Sequence, residues 1–234
     1  MLKIGHRGSA GTKPENSCAA FKEAIKYKVD MIELDVRFTK DDKLVVFHDE
    51  DLNRICGSNE KVSELTLKEL KKYDIGNHFS YDYIGERIMT LQEVINLVGV
   101  KTGLNIEAKT NGKNYEIFAV KIADLLISEG VEKRCVVTSF DYKFIKILKE
   151  MYPDISAGII FENDRNSDKW KEILEDCNAD GICLEYTVLN EKYIKRCKES
   201  GYFLYVWTVN DSYEIKRLKK LKIDGIISDY PALL

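Results

Sequence analysis

The sequence lacks the features that would tie it to a nucleic acid or to a membrane. It has no excess of basic residues, since 36 Lys and Arg stand against 39 Asp and Glu, whereas a nucleic-acid-binding domain is usually basic. It has no apolar run longer than a strand, and residues 1–5 lack the charged start and long apolar region of a signal peptide. We therefore expect neither a nucleic-acid partner nor membrane insertion, and we expect a cytoplasmic location.

Two kinds of motif are also missing. None of the six cysteines belongs to a C-x-x-C pair, and most of them fall within apolar strand or helix patterns. We therefore predict reduced core residues, not zinc ligands or disulfides. Gly5, Gly8 and Gly11 do not form the G-x-G-x-x-G fingerprint, and no P-loop follows them, so nucleotide binding is unsupported.

The chain does show a regular alternation of strand and helix patterns. Eight segments match parallel strands, and a further short strand near Val45 returns antiparallel. For 234 residues this predicts one α/β domain over 1–234, a closed (β/α)8 TIM barrel, with a doubly wound open sheet as the alternative. Residues 50–87 are polar and turn-rich, with one helical piece at 67–73. We interpret them as a small insertion after the second strand that caps the pocket mouth.

Two of the strand patterns carry acidic residues on one face. Apolar and charged residues alternate in Met31–Arg37, so Glu33 and Asp35 point the same way, and Glu107 lies similarly in Leu104–Lys109. A solvated or salt-bridged sheet face is one explanation. If the two strands are neighbours, three carboxylates converge in a partly dry pocket, where like charges repel. This favours one divalent cation at Glu33, Asp35 and Glu107, and all-oxygen ligands suit Mg²⁺, Ca²⁺ or Mn²⁺ better than zinc.

Two of the three histidines lie near these carboxylates in the expected fold. His6 follows the first strand and His48 ends the antiparallel return, and barrel enzymes gather their chemistry at such strand ends. Imidazole titrates near neutral pH, so the pair could serve as general acid and general base, with a structural role as the alternative. His78 lies in the insertion and receives no role. Glu185 and Asp229, at later strand ends, are left unassigned.

Other residues near the strand ends are candidates for binding a substrate. Arg7 and Lys109 would offset the negative charge of a phosphate, or would simply neutralise the carboxylates. Trp207 is either an apolar wall for the substrate or a core residue. Glu15 and Asn16 could order the first loop or support the metal site, although we favour a helix cap for Asn16.

Taken in chain order, these residues resemble the glycerophosphodiester phosphodiesterase family over nearly the whole sequence. The resemblance rests on an ordered set of motifs: His6-Arg7-Gly8, Pro14-Glu15-Asn16, Glu33-x-Asp35, Val46-Phe47-His48-Asp49, Glu107-x-Lys109, Ser139-Phe140, Trp207-Thr208-Val209-Asn210 and Asp224-Gly225-Ile226-Ile227-Ser228-Asp229-Tyr230-Pro231. Each motif is weak alone, but the ordered set is specific. The resemblance implies a barrel fold, dependence on a divalent cation, and hydrolysis of deacylated phospholipid diesters to sn-glycerol 3-phosphate and an alcohol.

The resemblance and the candidate site together imply attack by the glycerol 2-hydroxyl on phosphorus. One histidine would remove the hydroxyl proton and the other would protonate the departing alcohol, which gives a cyclic phosphate that water then opens. Three alternatives stay open: a lipid-cleaving phosphodiesterase of the venom sphingomyelinase type, a non-enzymatic metal or polyol sensor, and a metal-dependent barrel lyase. A sensor would be expected to lose a histidine or a carboxylate, and a lyase would not carry these ordered motifs.

Overall fold

Eight parallel strands close into a barrel in the computed structural model, which describes residues 1–162 and 169–234. The strands in chain order are β1 (Leu2–Gly5), β2 (Met31–Phe38), β3 (Leu44–Val46), β4 (Gly103–Ala108), β5 (Cys135–Ser139), β6 (Ala157–Phe161), β7 (Gly181–Glu185), β8 (Phe203–Trp207) and β9 (Gly225–Ser228). β1 pairs with both β2 and β9, which closes the ring, and β3 pairs antiparallel with β2. The predicted (β/α)8 barrel is confirmed, and the open sheet is not formed.

Helices connect the barrel strands and cover their outer faces. The helices in chain order are α1 (Cys18–Lys26), α2 (Asn53–Cys56), α3 (Leu67–Leu70), α4 (Leu91–Val98), α5 (Tyr115–Ser128), α6 (Tyr142–Met151), α7 (Trp170–Cys177), α8 (Glu191–Ser200) and α9 (Ser212–Lys220). Of these, α2 and α3 lie in the insertion, and α3 is shorter than the helical piece predicted at 67–73. Thr66 and Thr90 begin α3 and α4 with capping boxes, in which a glutamate three residues on returns a hydrogen bond.

Two hydrophobic layers stabilise the barrel. The alternation in β2 sends Ile32, Leu34 and Val36 outward into the main core between strands and helices, as its period of two predicts. A smaller cluster fills the inside of the barrel: Ile4, Met31, Val136, Ile160, Cys183, Tyr205 and Ile227. All six cysteines are unpaired and four are buried, which agrees with the prediction of reduced core residues.

Aspartates brace the amino-terminal end of the barrel in a repeated way. Three of them stand directly before a barrel strand, and each accepts a hydrogen bond, through Oδ2, from a backbone N–H of a neighbouring strand. They are Asp30, which accepts from Lys3 (2.7 Å), Asp180 from Ala157 (2.7 Å) and Asp224 from Leu204 (2.8 Å). These bonds satisfy backbone donors at strand ends and fix the relative height of adjacent strands.

The insertion over residues 50–87 has a small hydrophobic cluster of its own. Leu52, Ile55, Leu70 and Ile75 are buried there together with residues of β3 and the turn after it. The insertion reaches the loop after β1, where Nζ of Lys13 donates to the hydroxyl of Tyr83 at 2.6 Å. None of the described residues that line the cavity at the carboxyl ends of the barrel strands belongs to 50–87, so a cap over the pocket mouth stays a prediction.

Candidate active site

One cavity of about 500 Å³ opens at the carboxyl ends of the barrel strands. Asp35 is buried and contacts the lining residues Arg7 and Lys109. From the loop after β1, Glu15 contacts Arg7 and Asn16 contacts Asp35. The other seven candidate residues from the sequence all line this cavity: His6, Arg7, Glu33, His48, Glu107, Lys109 and Trp207. The fold thus gathers at one place the residues that the sequence pattern singled out.

Neighbouring strands bring the three candidate metal ligands together. β2 pairs with β4 so that Asp35 stands opposite Glu107, and Glu33 lies two residues earlier on the same face of β2. One oxygen from each carboxylate lies within 4.8 Å of the others, and all three residues are buried. The carboxylates therefore converge in the way that the alternation predicts.

Two cations lie against this carboxylate cluster but do not balance it. Nε of Arg7 is 3.3 Å from Oδ2 of Asp35, and Nζ of Lys109 is 3.2 Å from Oδ1 of Asp35 and also contacts Oε1 of Glu107. Among the described residues, no group donates a well-oriented hydrogen bond to Oδ1 of Asp35 or Oε1 of Glu107. Three buried carboxylates beside two cations are unfavourable by themselves and match the oxygen ligands of a hard divalent cation.

The carboxylates of the cluster differ in their pKa values. Burial and the neighbouring charge of Asp35 raise the pKa of Glu33 and of Glu107 to about 7. Burial opposes ionisation of Asp35 as well, but the charges of Lys109 and Arg7 hold the pKa of Asp35 well below its usual range. A cation would relieve the repulsion, because metal binding favours the ionised form of every ligand.

The loop after β1 turns Arg7 toward the cluster through both its backbone and its side chain. Arg7 has φ of 47°, in the left-handed region, and its backbone N–H donates to Oε2 of Glu33 at 2.9 Å. Gly8 follows with φ of 87°, and a Cβ there would lie 2.7 Å from the backbone carbonyl carbon of Ala20. Only glycine lets this loop pack so closely against α1.

His6 is oriented by Asp229, which the sequence analysis left unassigned. Nδ1 of His6 donates to Oδ1 of Asp229 at 2.6 Å, and Nδ2 of Asn210 donates to the other oxygen of that carboxylate at 2.6 Å. Nε2 of His6 lies 3.8 Å from Oε2 of Glu33. Burial would lower the pKa of His6, but the hydrogen bond to Asp229 and the charge of Glu33 raise it above its usual value. The hydrogen bond to Asp229 also fixes the ring so that Nε2 lies on the cluster side.

His48 has the same kind of aspartate partner but the opposite electrostatic environment. Its Nδ1 donates to Oδ1 of Asp49 at 2.6 Å, and Arg37 holds the backbone carbonyl of His48 with two hydrogen bonds of 2.9 and 2.7 Å. Burial lowers the pKa of His48, although the charge of Asp35 acts in the other direction. The pKa values of the two rings are thus shifted in opposite directions, which would suit an acid and a base acting in one step.

The interpretation of Asn16 as a helix cap is wrong. Ser17 caps α1, and its hydroxyl accepts the backbone N–H three residues on at 3.1 Å. Asn16 instead has φ of 55° and is buried, and its Nδ2 donates to Oδ2 of Asp35 at 2.8 Å. Glu15 accepts from Nη1 of Arg7 at 2.9 Å. Asn16 therefore contacts the carboxylate cluster directly and Glu15 is joined to it through Arg7, while their support of a metal site stays a prediction.

An aromatic wall completes the cavity. Nε1 of Trp207 donates to the carbonyl of Cys183 at 3.2 Å, and the indole meets the ring of Phe140 edge to face with 5.8 Å between centroids. Asn105 and Thr138 lie on the lining as well and are joined by a hydrogen bond of 3.0 Å. The cavity thus has a charged part and an apolar wall, an arrangement suited to a small ligand with a charged group and an uncharged part.

Asp49, Asp229, Asn210 and Phe140 are among the residues of this site that received no role from the sequence. A signal existed for the two aspartates, because each directly follows a strand or a candidate histidine, and a catalytic imidazole usually needs a partner on its second nitrogen. Asn210 and Phe140 were visible only as members of motifs. Their contacts depend on the closed ring of strands, which joins residues 223 positions apart in the case of His6 and Asp229.

Comparison with known proteins identifies the family of this chain. A model of the glycerophosphoryl diester phosphodiesterase family matches residues 6–233. The chain belongs to this family. The resemblance inferred from the ordered motifs is therefore confirmed, and so is the expectation of an enzyme of this class.

Relatives from the family match the chain from end to end. A glycerophosphodiester phosphodiesterase from Caldanaerobacter subterraneus subsp. tengcongensis is 36% identical over 234 residues, which are 100% of this chain and 96% of that protein. A phosphodiesterase structure from Oleispira antarctica, solved in complex with the product sn-glycerol 3-phosphate, has a TM-score of 0.91 at 28% identity and covers 98% of this chain and 93% of that one. A glycerophosphodiester phosphodiesterase structure from Thermotoga maritima has a TM-score of 0.81 at 29% identity, with coverages of 100% and 96%.

Helix length also bears on the expected absence of membrane insertion. Within residues 1–162 and 169–234, every helix is too short or too polar to span a bilayer.

Proposed function

We propose that this chain hydrolyses glycerophosphodiesters to sn-glycerol 3-phosphate and an alcohol, with the help of one divalent cation. The observation that carries the proposal is the placement of two histidines, each held by an aspartate, in the same cavity as a buried carboxylate cluster. The complex of the Oleispira antarctica phosphodiesterase with sn-glycerol 3-phosphate supports a small diester as the substrate.

Glu33, Asp35 and Glu107 would hold the cation. Their oxygens converge, and the three carboxylates outnumber the permanent cations Arg7 and Lys109, so the residues fit a hard ion such as Mg²⁺, Ca²⁺ or Mn²⁺. When bound, the cation would supply Lewis acidity toward a phosphoryl oxygen and would lower the pKa of the substrate hydroxyl.

Arg7 and Lys109 would bind the phosphate. Both line the cavity, and both already contact Asp35, so one face of each cation neutralises the cluster while the substrate takes the other. The guanidinium can donate to two phosphoryl oxygens at once, and both side chains offset the negative charge that grows on the phosphate as the nucleophile attacks.

His6 and His48 would move the protons. One ring removes the proton of the glycerol 2-hydroxyl, which attacks phosphorus, and the other protonates the departing alcohol. Water then opens the resulting cyclic phosphate with the two roles exchanged. The raised pKa of His6 favours this ring as the first acid, and the lowered pKa of His48 favours that ring as the first base.

The aromatic wall would pack against the uncharged part of the diester. Trp207 and Phe140 offer an apolar surface across from the charged residues, which suits the carbon atoms of the glycerol or of the departing alcohol. The proposal also keeps a single domain over 1–234 and a cytoplasmic site of action, and the sequence patterns described above support both.

A panel of glycerophosphodiesters tests the function directly. Choline, ethanolamine, inositol and glycerol diesters are each incubated with the protein and Mg²⁺, Ca²⁺ or Mn²⁺, and released sn-glycerol 3-phosphate is measured enzymatically. We expect release from at least one diester with at least one of these cations. The proposed function is rejected if none of the combinations releases product.

The tethered nucleophile has its own test. A diester of 1,3-propanediol phosphate lacks the 2-hydroxyl, and the loss of an attacking group already held beside phosphorus should slow turnover at saturation at least about 10³-fold. Loss of one binding hydrogen bond would cost only about 1 kcal/mol. Comparable turnover of the two diesters would instead indicate attack by water.

A further inference from the structure

Arg54 of the insertion joins two carboxylates that come from different parts of the barrel. On one side its Nε donates to Oδ2 of Asp49 at 2.7 Å and its Nη2 donates to Oδ1 of Asp49 at 3.1 Å. On the other side Nη1 and Nη2 donate to the two oxygens of Glu15 at 2.8 and 2.7 Å. One guanidinium therefore forms a bidentate bridge to each of two carboxylates, which uses the full planar fork of this side chain.

Each of these carboxylates holds a residue of the proposed site. Asp49 accepts from Nδ1 of His48 at 2.6 Å, and Glu15 accepts from Nη1 of Arg7 at 2.9 Å. Burial opposes ionisation of Glu15 and Asp49, but the hydrogen bonds from Arg54 lower the pKa of both carboxyls, so both act as ionised acceptors. Arg54 thus lies at the centre of a chain of contacts that runs from His48 to Arg7.

A second arginine of the insertion, compared with Arg54, indicates that this bridge does more than stabilise a loop. Arg87 is a second arginine of the same segment, and its Nη1 lies 2.9 Å from Oδ2 of Asp74. The two arginine side chains are similarly exposed, at 48% for Arg54 and 43% for Arg87. Within the described residues, neither Arg87 nor Asp74 forms a hydrogen bond to a residue of the proposed site, whereas both partners of Arg54 do.

We infer that Arg54 is a positioning residue of the active site, through which the insertion sets the orientation of His48 and Arg7 together. The inference rests on the proposed function and adds a residue to it. Arg54 is not among the described residues that line the cavity, so it acts through Asp49 and Glu15 and does not touch the substrate. The insertion thereby contributes to the reaction without providing a wall of the pocket.

The bridge has two separable consequences for the kinetics. Release of Asp49 lets the imidazole of His48 turn away from the substrate, and this lowers kcat because proton transfer needs close alignment. Release of Glu15 lets the guanidinium of Arg7 shift from the phosphate, and this raises KM to the extent that Arg7 binds the ground state. A lysine at position 54 keeps the charge but cannot hold two carboxylates with a planar fork.

Three variants test the inference: Arg54→Ala, Arg54→Lys and the matched control Arg87→Ala. We expect kcat of Arg54→Ala to fall roughly 10- to 100-fold on the best diester of the panel, with Arg54→Lys between this variant and the unchanged protein. We expect Arg87→Ala to stay within about twofold of the unchanged protein, since its pair contacts no site residue. Added guanidinium should restore part of the turnover of Arg54→Ala and none of any loss in Arg87→Ala.

The histidine ring protons give a readout that needs no activity. The chain has three histidines, so the Nδ1–H signal of His48 can be assigned by NMR with His78 as the internal reference. This signal should be present in the unchanged protein and in Arg87→Ala, weakened in Arg54→Lys and lost through solvent exchange in Arg54→Ala. Failure of the whole diester panel would reject the proposed function and still leave this signal to decide the inference.

Two results would overturn the inference. One is an equal kcat for the Arg54→Ala and Arg87→Ala variants at matched folded fraction. The other is an Nδ1–H signal of His48 that does not change in either variant of Arg54. Because Arg54→Lys keeps a cation at this position, it serves as the deciding variant if Arg54→Ala does not fold.

Discussion

Buried charges occur at both ends of the barrel, and the two groups differ in how completely they are paired. At the amino-terminal end, Nζ of Lys149 donates to two backbone carbonyls, at 2.8 and 3.1 Å, and to Oδ2 of Asp180 at 2.9 Å. This ammonium uses all three of its donors. At the carboxyl end, Glu33, Asp35 and Glu107 outnumber the permanent cations Arg7 and Lys109, and the single ammonium of Lys109 is shared between Asp35 and Glu107.

The contrast separates a structural charge from a functional one. A buried charge whose partners are all present within the chain can hold a loop in place, as Lys149 does for the segment before β6. A buried cluster in which like charges are in excess is unfavourable for the fold alone, and its shape suits something that the chain does not provide.

Glu107→Gln should impair cation binding by the carboxylate cluster at the carboxyl end of the barrel. The change keeps the shape of the side chain and removes one of the three charges, so we expect weaker binding of the cation and turnover at least about 10³-fold lower. Chelation of the unchanged protein should lower turnover as strongly. Metal affinity by calorimetry and turnover on the best diester are measured together. Full activity in the chelated protein would contradict the proposed role of the cluster.

The free energy of unfolding of Glu107→Gln tests whether this carboxylate is needed for the fold. With a chelator present, Glu107→Gln should be as stable as the unchanged protein or more stable, because it removes a buried like charge. A marked loss of stability in chelator would show that Glu107 is needed for the fold itself. Urea denaturation of both proteins provides the measurement.

Changes at the two histidines beside the cluster come next in size. His6→Ala and His48→Ala should each lower kcat roughly 10²-fold or more and leave metal affinity nearly unchanged, because both act on protons. His78→Ala, in the insertion, is the control and should keep its turnover. A diester with a p-nitrophenol leaving group needs no acid, so it should restore one of the two variants and not the other, and the raised pKa of His6 favours His6→Ala as the restored variant. Rescue of both or of neither would argue against an acid and base pair.

Much of the fold could be predicted because its signals are local. The alternation in Met31–Arg37 sorts the side chains between the inside and the outside of the barrel, and the structure has them on those sides. The aspartates before β2, β7 and β9 were visible as well, each after an apolar residue and directly before a strand. Their use as braces was not predicted, because it depends on which strands become neighbours.

The sequence predicted which residues form the site better than it predicted the contacts between them. Asn16 illustrates the reason, since its type and place suit a helix cap, and only the left-handed turn of the loop sends it to Asp35 instead. Arg54 received no role because it lies in a segment without a regular pattern. Its partners are 5 and 39 residues away in the chain, so the bridge exists only once the insertion has packed against the barrel.

A change at Lys149 tests whether the fully paired charge at the amino-terminal end of the barrel stabilises the fold. Lys149→Met keeps the length of the side chain, removes the ammonium donor from two backbone carbonyls, and leaves the carboxylate of Asp180, among the described residues, with only the N–H of Ala157, so we expect a loss of about 2 kcal/mol in the free energy of unfolding. Turnover per folded molecule should not change. Lys146→Met, on the exposed face of the same helix, is the control, because its pair with Asp176 is exposed and should contribute less than about 1 kcal/mol. Equal losses in the two variants would remove the distinction between the buried network and the surface pair.

The pH dependence of stability in chelator should reveal the excess charge at the carboxyl end. Glu33 and Glu107 have pKa values of about 7 in the folded protein against an ordinary value of 4.5, so between these limits the folded state binds more protons than the unfolded state. The free energy of unfolding should therefore fall as pH rises from about 4.5 to 7, by about 1 kcal/mol per pH unit for each fully shifted group. Asp35, whose pKa is lowered, acts at lower pH, where it loses its stabilising effect as the pH falls.

The same pH titration at saturating cation decides how the slope of the free energy of unfolding against pH is interpreted. A bound cation favours the ionised carboxylates, so the same titration in Mg²⁺, Ca²⁺ or Mn²⁺ should show stability rising with pH over this window. In Glu107→Gln with chelator the slope should be smaller than in the unchanged protein, because one of the two raised carboxyls is gone. Urea denaturation at pH 5, 6 and 7 measures all three cases at about one-unit steps. The same slope in chelator and in every cation would mean that the carboxylates are balanced by the chain itself, and the difference between the two ends of the barrel would then be one of degree.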